Sequence, residues 1–377
     1  MRTFKFMLET MKSRVNSARF AQYDYRTDRH VVVFESDDWG SIRMSNKKDW
    51  EELLRMGYAV DKRPYERYDT LESAEDLEAL YEVLSRHIDC NGNHPVITAN
   101  MLMANPDFEK IEKSGFQEYY YEPIAKTYER YYGNANVLEL MKHGMEEGVF
   151  MPQSHGREHF NVAQWMRRLR DGNEDLLTAF RHGMCGIAPK AHPEKGNKMM
   201  NALLAENEKE EVAIGGIVTE GLQMFEELWR FKSKTFVAPC YLWNEQTERV
   251  LDDGGVKLIQ TSRASKPAYK SSSRYFYSGQ RNILGQVYSI RNCHFEPATN
   301  EEDKTPETLL AQINKTFTQH KIAVFSTHRI NYVGGIDATN RLQTLRLLDD
   351  FLTQLLRKYP DVEFMSSDKL IEIFDQQ

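Results

Sequence analysis

Val31-Val32-Val33-Phe34-Glu35-Ser36-Asp37-Asp38-Trp39-Gly40 runs from four bulky apolar residues into two adjacent carboxylates, a Trp and a Gly. Three β-branched residues followed by a Phe predict a short buried strand. Side chains alternate along a strand, so paired carboxylates at its end can address two different ligands. Two like charges held together are costly to desolvate, and a buried pair calls for a cation or a shared proton. The competing reading is a strand that ends in a solvated acidic turn.

Outward from this stretch the same rhythm recurs. Further strands are predicted at 95–99, 149–153, 235–238, 256–260, 322–326 and 362–365. Helical apolar spacing covers 49–56, 73–88, 136–147, 161–170, 209–231, 244–252, 305–318 and 338–358, with a last helix from 368. About seven short strands, most followed by a helix, predict parallel βα units in one domain. The Tyr- and Pro-rich segment 105–134 is expected to be a long, partly functional loop. Polar, aromatic 265–300 breaks the rhythm and is read as an insertion, with a pair of strands near 273–277 and 286–290. The domain reading is an N-terminal helical extension over 1–28 and one catalytic domain over 29–377.

The chemically interesting residues follow predicted strands: Asp37 and Asp38, then His155, Tyr241 and His328. A βα barrel gathers strand C-termini on one face, which carries the active site. An open doubly wound sheet would gather them similarly.

The whole chain narrows the options. Its 377 residues carry a net charge of −7 and are 41% hydrophobic and 28% charged, the profile of a soluble globular protein. No basic tract argues for nucleic acid. Cys90, Cys185, Cys240 and Cys293 lie far apart without metal or framework spacing, favouring reduced thiols. No apolar run reaches the roughly 20 residues that span a bilayer. Residues 1–20 lack a secretory pattern, so a cytoplasmic location is expected. Phe4, Met7, Leu8, Met11 and Val15 share a helical face, which either packs on the body or, with Lys5, Lys12, Arg14 and Arg19, touches a membrane surface.

His155 and His159 stand four apart directly after a strand, a spacing that turns two imidazoles to one side of a helical turn. Two imidazoles and one carboxylate make a three-ligand facial set with open positions, the catalytic rather than the structural kind of site.

Ser36-Asp37-Asp38-Trp39-Gly40, His155-Gly156-Arg157-Glu158-His159 and Ser326-Thr327-His328 resemble the first, second and last motifs of the NodB-type polysaccharide deacetylases, carbohydrate esterase family 4. The resemblance spans roughly 30–330 and implies a distorted (β/α)7 barrel with one divalent metal, usually zinc. Carried over by position, it makes Asp38, His155 and His159 metal ligands, Asp37 the general base and His328 the general acid. The third-motif Arg is missing from Thr235-Phe236-Val237-Ala238-Pro239-Cys240-Tyr241, so either Arg263 supplies that charge or the base is held otherwise. No counterpart of the fourth motif is found.

Trp39, Tyr241 and Trp243 either stack on sugar faces or belong to the core. Arg329 and Asn331 either bind substrate at the rim or are solvated, and Arg291, His294 and Glu296 are candidates to reach the mouth. A backbone N–H near Tyr241 is a candidate oxyanion donor. The expected activity is metal-dependent removal of N-acetyl groups from an amino sugar or glycan of an intracellular pathway. Two alternatives stay open: a glycoside hydrolase on a related seven-stranded barrel, and a glycan-binding protein with a decayed site.

Overall fold

The computed structural model describes residues 15–133 and 136–376, so the expected apolar face of the N-terminal extension lies almost wholly outside the described residues. Eleven strands are described: β1 (Val31–Trp39), β2 (Ile97–Leu102), β3 (Ala104–Pro106), β4 (Tyr121–Pro123), β5 (Phe150–Gly156), β6 (Thr235–Val237), β7 (Leu258–Thr261), β8 (Val287–Ile290), β9 (Cys293–His294), β10 (Ala323–His328) and β11 (Glu363–Phe364). Apart from the hairpin β3–β4, they form one parallel sheet ordered β8-β7-β6-β5-β2-β1-β10-β9, with β11 on the start of β1.

The two ends of that order are neighbours in the chain. Only Arg291 and Asn292 separate β8 from β9; the Arg291 N–H donates to Thr261 O at 3.0 Å and the Asn292 N–H to Val324 O at 3.1 Å. One extended segment thus leaves β7 and joins β10, closing seven strands into a distorted barrel. Three expectations change. The stretch 287–294 is barrel wall rather than insertion, and 362–365 supplies only a two-residue strand beside β1. The expected loop 105–134 holds the β3–β4 hairpin and the helices Phe108–Lys113 and Ile124–Tyr132.

Alternation along β1 builds the site. Val32 and Phe34 face outward, where Leu77, Leu80, Leu345 and Leu348 of the helices Ala74–Leu84 and Ala338–Lys358 cover them. Burial of each such side chain stabilises the fold by about 1.5–3 kcal/mol. Val31 and Val33 face inward with Leu258, Val287 and Val324, and helix Leu370–Phe374 packs against this cluster. The next inward positions are Glu35 and Asp37, so the lumen turns from apolar to charged toward the mouth. No helix among the described residues is long and apolar enough to cross a membrane.

Candidate active site

The pairing of β1 with β2 slips between Ser36 and Trp39, and Asp38 takes a left-handed φ of 76°. That turn carries Asp38 out of the strand's alternation and over the mouth. Gly40, at φ 82°, completes the reversal; a Cβ there would lie 2.5 Å from Leu102 O, so only glycine fits.

Asp38 is buried, and its two oxygens are treated differently. Oδ2 accepts from Arg43 Nη2 at 2.8 Å, while Oδ1 has no hydrogen-bond partner. Facing Oδ1 are His159 Nε2 at 3.3 Å and His155 Nε2 at 3.7 Å. His155 Nδ1 lies 2.8 Å from Val237 O, which fixes Nδ1 as the protonated nitrogen and leaves Nε2 as a buried, unpartnered lone pair. Burial works to raise the pKa of Asp38, but the charge of Arg43 beside it holds it well below the usual range. Burial drives His159 down to about 3 against the pull of Asp38. One anionic oxygen and two imidazole groups therefore converge with no protein donor between them. This is the donor set of a divalent cation site with open positions, and Asp38, His155 and His159 fit one.

Asp37 points into the lumen. Arg291 donates from Nη1 to Oδ2 at 2.6 Å and from Nη2 to Oδ1 at 2.7 Å, while its Nε holds Glu35 at 2.7 Å. Asn100 Nδ2 adds a bond to Asp37 Oδ1 at 2.8 Å. Burial opposes ionisation of Asp37, yet Arg291 outweighs it and brings the pKa to about 2. Arg291, from the link between β8 and β9, thus supplies the positive charge beside Asp37 that 235–241 lacks. Arg263 does not: it forms a two-pronged pair with Asp24, at 2.5 and 2.8 Å, on the outer segment 262–286.

His328 ends β10 with Nε2 3.9 Å from Asp37 Oδ2 and Nδ1 bonded to Glu296 Oε1. Burial would lower its pKa, but Glu296 raises it to about 9, leaving the imidazole protonated at neutral pH. Asn331 Nδ2 in turn donates to Glu296 Oε2 at 2.8 Å.

Tyr241, Arg43, Tyr65, Glu66 and Met200 line the cavity together with Asp37, Asp38, His155, His159 and His328. Several expected contacts lie elsewhere. Trp39 is core, its Nε1 donating to Ser36 Oγ and its ring packed edge-on against Phe150. Trp243 stacks on Phe276 and donates to Glu248. Arg329 is completely buried between Asp69 and Glu72, and Asn331 supports Glu296 from behind. His294 is exposed on the far side of its strand, bracketed by Gln312. The Tyr241 N–H is occupied by Ala238 O at 2.9 Å, so it is no oxyanion donor. Sequence reasoning missed Arg43, whose only signal is its place in the turn after Gly40, and Tyr65, 5.6 Å from the Arg43 guanidinium.

No family model matches the sequence, and no curated protein matches it. Solved structures similar to it include CE4 family members. The CE4 domain of a multidomain xylanase from a Trinervitermes trinervoides hindgut metagenome is 10% identical, with 92% of this chain and 91% of that one covered and a TM-score of 0.39. A CE4 family pseudoenzyme from Bacillus anthracis is 10% identical over 93% of this chain and 68% of its own, with a TM-score of 0.39. A 4-alpha-glucanotransferase from Thermococcus litoralis is 9% identical over 91% of this chain and 40% of its own, with a TM-score of 0.46. These TM-scores all lie below 0.5, and the functional reading rests on the chain's own residues.

Proposed function

We propose that this chain is a metal-dependent hydrolase that removes N-acetyl groups from an amino sugar or glycan. The observation that carries the reading is the convergence of unpartnered Asp38 Oδ1 and His155 Nε2 with His159, beside an ionised Asp37 and a protonated His328. Asp38, His155 and His159 would hold the ion, and zinc suits a donor set of two imidazoles and a carboxylate. A bound divalent ion supplies Lewis acidity, polarising a carbonyl and acidifying a water.

Asp37 and His328 handle the protons. Arg291 keeps Asp37 ionised, so it accepts a proton without first losing one; the same grip makes it a weak base, suited to an already acidified donor. His328, oriented at Nδ1 by Glu296, presents Nε2–H to the departing amine. Asp37 Oδ2 and His328 Nε2 stand 3.9 Å apart, so a group beside the pair would meet an acceptor and a donor together. Tyr241 closes the same wall, its hydroxyl accepting from Arg291 Nη1 at 3.1 Å.

Arg291, from the link between β8 and β9, supplies the charge whose absence from 235–241 suggested a decayed site, which favours the enzyme over a binding relic. Glycoside hydrolysis needs two carboxylates free to flank the scissile bond. Here Arg291 holds Asp37 on both oxygens, while His328 and Asn331 engage Glu296.

The test is acetate release from N-acetylated saccharides by zinc-loaded protein, with metal content measured alongside. Asp37→Asn should abolish release while retaining metal, and His155→Ala should lose both. Full metal loading with no acetate from any amide would overturn the assignment.

A further inference from the structure

Two segments that the barrel does not need stand over its mouth. One runs from the end of β1 to helix Ala74–Leu84, the other from the end of β5 to helix Glu208–Trp229. They are fastened to each other. Arg63 Nη1 donates to Pro193 O at 3.2 Å, the Ala188 N–H to Glu66 Oε1 at 2.8 Å, and Tyr58 Oη to Asp175 at 3.0 Å. His182 meets Asp49 at 3.0 Å. Leu53, Tyr58 and Val60 of the first segment share an apolar cluster with Ala179, Met184 and Ile187 of the second. Parting the segments would expose that cluster, so they act as one wall.

This wall and the reacting groups line one half-open cavity of about 280 Å³. Pockets for drug-sized ligands run from about 300 to 1,000 Å³, so the space suits one sugar-sized residue rather than a row of them. The wall also lines the cavity with polar side chains, Ser41, Arg43, Tyr65 and Glu66 among them. A few polar side chains in a largely apolar pocket are what fixes the orientation of a small polar ligand such as a sugar.

We infer that the fastened segments make the site an end pocket, which takes one N-acylated sugar residue at a chain terminus or in a small glycoside and rejects the interior of a polymer. The inference rests on the deacetylase reading above and narrows its substrate class.

The experiment offers zinc-loaded full-length protein a β-1,4-linked N-acetylglucosamine hexasaccharide, isotopically marked at its reducing end, and the corresponding methyl monosaccharide. Mass spectrometry should find a single acetyl lost, from a terminal residue, with kcat/KM for the two substrates within about tenfold of each other. Loss from interior residues, or a rate that climbs with chain length, would overturn the end pocket while leaving deacetylation standing. Absence of acetate from both would count against deacetylation instead. A parallel measurement then decides the pocket without turnover, by saturation-transfer NMR of the hexasaccharide on zinc-loaded Asp37→Asn protein. Contact confined to one terminal residue supports the inference; contact along the interior, or none, overturns it.

Discussion

Arg291 reaches across the barrel lumen to hold Asp37 by both carboxylate oxygens, although 254 positions separate the two in sequence. Its Nε simultaneously neutralises Glu35, so one buried guanidinium serves two buried carboxylates. Removing one partner of a buried charge network leaves the others uncompensated. Arg291→Met should therefore destabilise the protein by about 3–5 kcal/mol, measured by denaturant unfolding. Arg291→Met with Glu35→Gln should recover part of that loss, because one of the two stranded charges is gone.

Arg43 and Asp38 make a second such relationship with a different readout. By occupying Oδ2 at 2.8 Å, Arg43 leaves Oδ1 as the oxygen that faces both imidazoles. Arg43→Met frees Asp38 to rotate and should weaken metal binding by about 10–100-fold, the usual cost of losing an outer-shell partner. Competition for zinc against a chelator measures this without reference to turnover, and unchanged affinity would remove Arg43 from the site's architecture.

The sequence makes β1, β5 and β10 readable because each is a run of apolar residues delivering an acid or a histidine in the next few positions. His155 and His159 could be paired from their spacing, and the resemblance to the NodB-type motifs added Asp38; the structure brings both imidazoles within 4 Å of one Asp38 oxygen. Arg291 and Glu296 were harder to place. Arg291 lies in the break of a strand split into four and two residues that changes partners midway, and Glu296 just after it; the pieces are too short for their period to stand out from the polar segment before them. The aromatic residues misled for the opposite reason. Trp39 and Trp243 sit beside motif residues in sequence, but alternation and tight turns point them into the core, where Ser36 and Glu248 accept from their indoles. Burial of Arg329 was illegible because its partners Asp69 and Glu72 come from a distant loop.

The His328–Glu296 pair predicts a pH dependence. The folded-state pKa of His328 is raised to about 9 from an ordinary 6.5. Stability from the pair is therefore fully present below about pH 6.5 and lost as pH rises through about 9. In metal-free protein, the unfolding free-energy gap between wild type and Glu296→Gln should shrink across that window. NMR titration should place the His328 pKa near 9 in wild type and lower it in Glu296→Gln, and an identical pKa in both would dismiss the pairing.

Helix Glu208–Trp229 supports the metal-binding turn from behind through a glycine. A Cβ at Gly221 would lie 2.7 Å from the Arg157 backbone nitrogen and 3.0 Å from the Gly156 carbonyl carbon. Those atoms belong to the turn that links His155 to His159, and backbone cannot swing aside as a flexible side chain would. Alanine ordinarily favours a helix over glycine by about 1 kcal/mol, but overpacking of this kind costs about 1–3 kcal/mol. Gly221→Ala should therefore lower the melting temperature and, by displacing the turn, weaken zinc affinity as well. Gly216, one and a half turns earlier on the exposed side of the same helix, has nothing within 4 Å of an added Cβ. Gly216→Ala should leave zinc affinity unchanged and stabilise the fold by about 0.4–1 kcal/mol. Equal effects from the two substitutions would mean that helix propensity alone is being measured and that the helix does not set the position of the histidine turn.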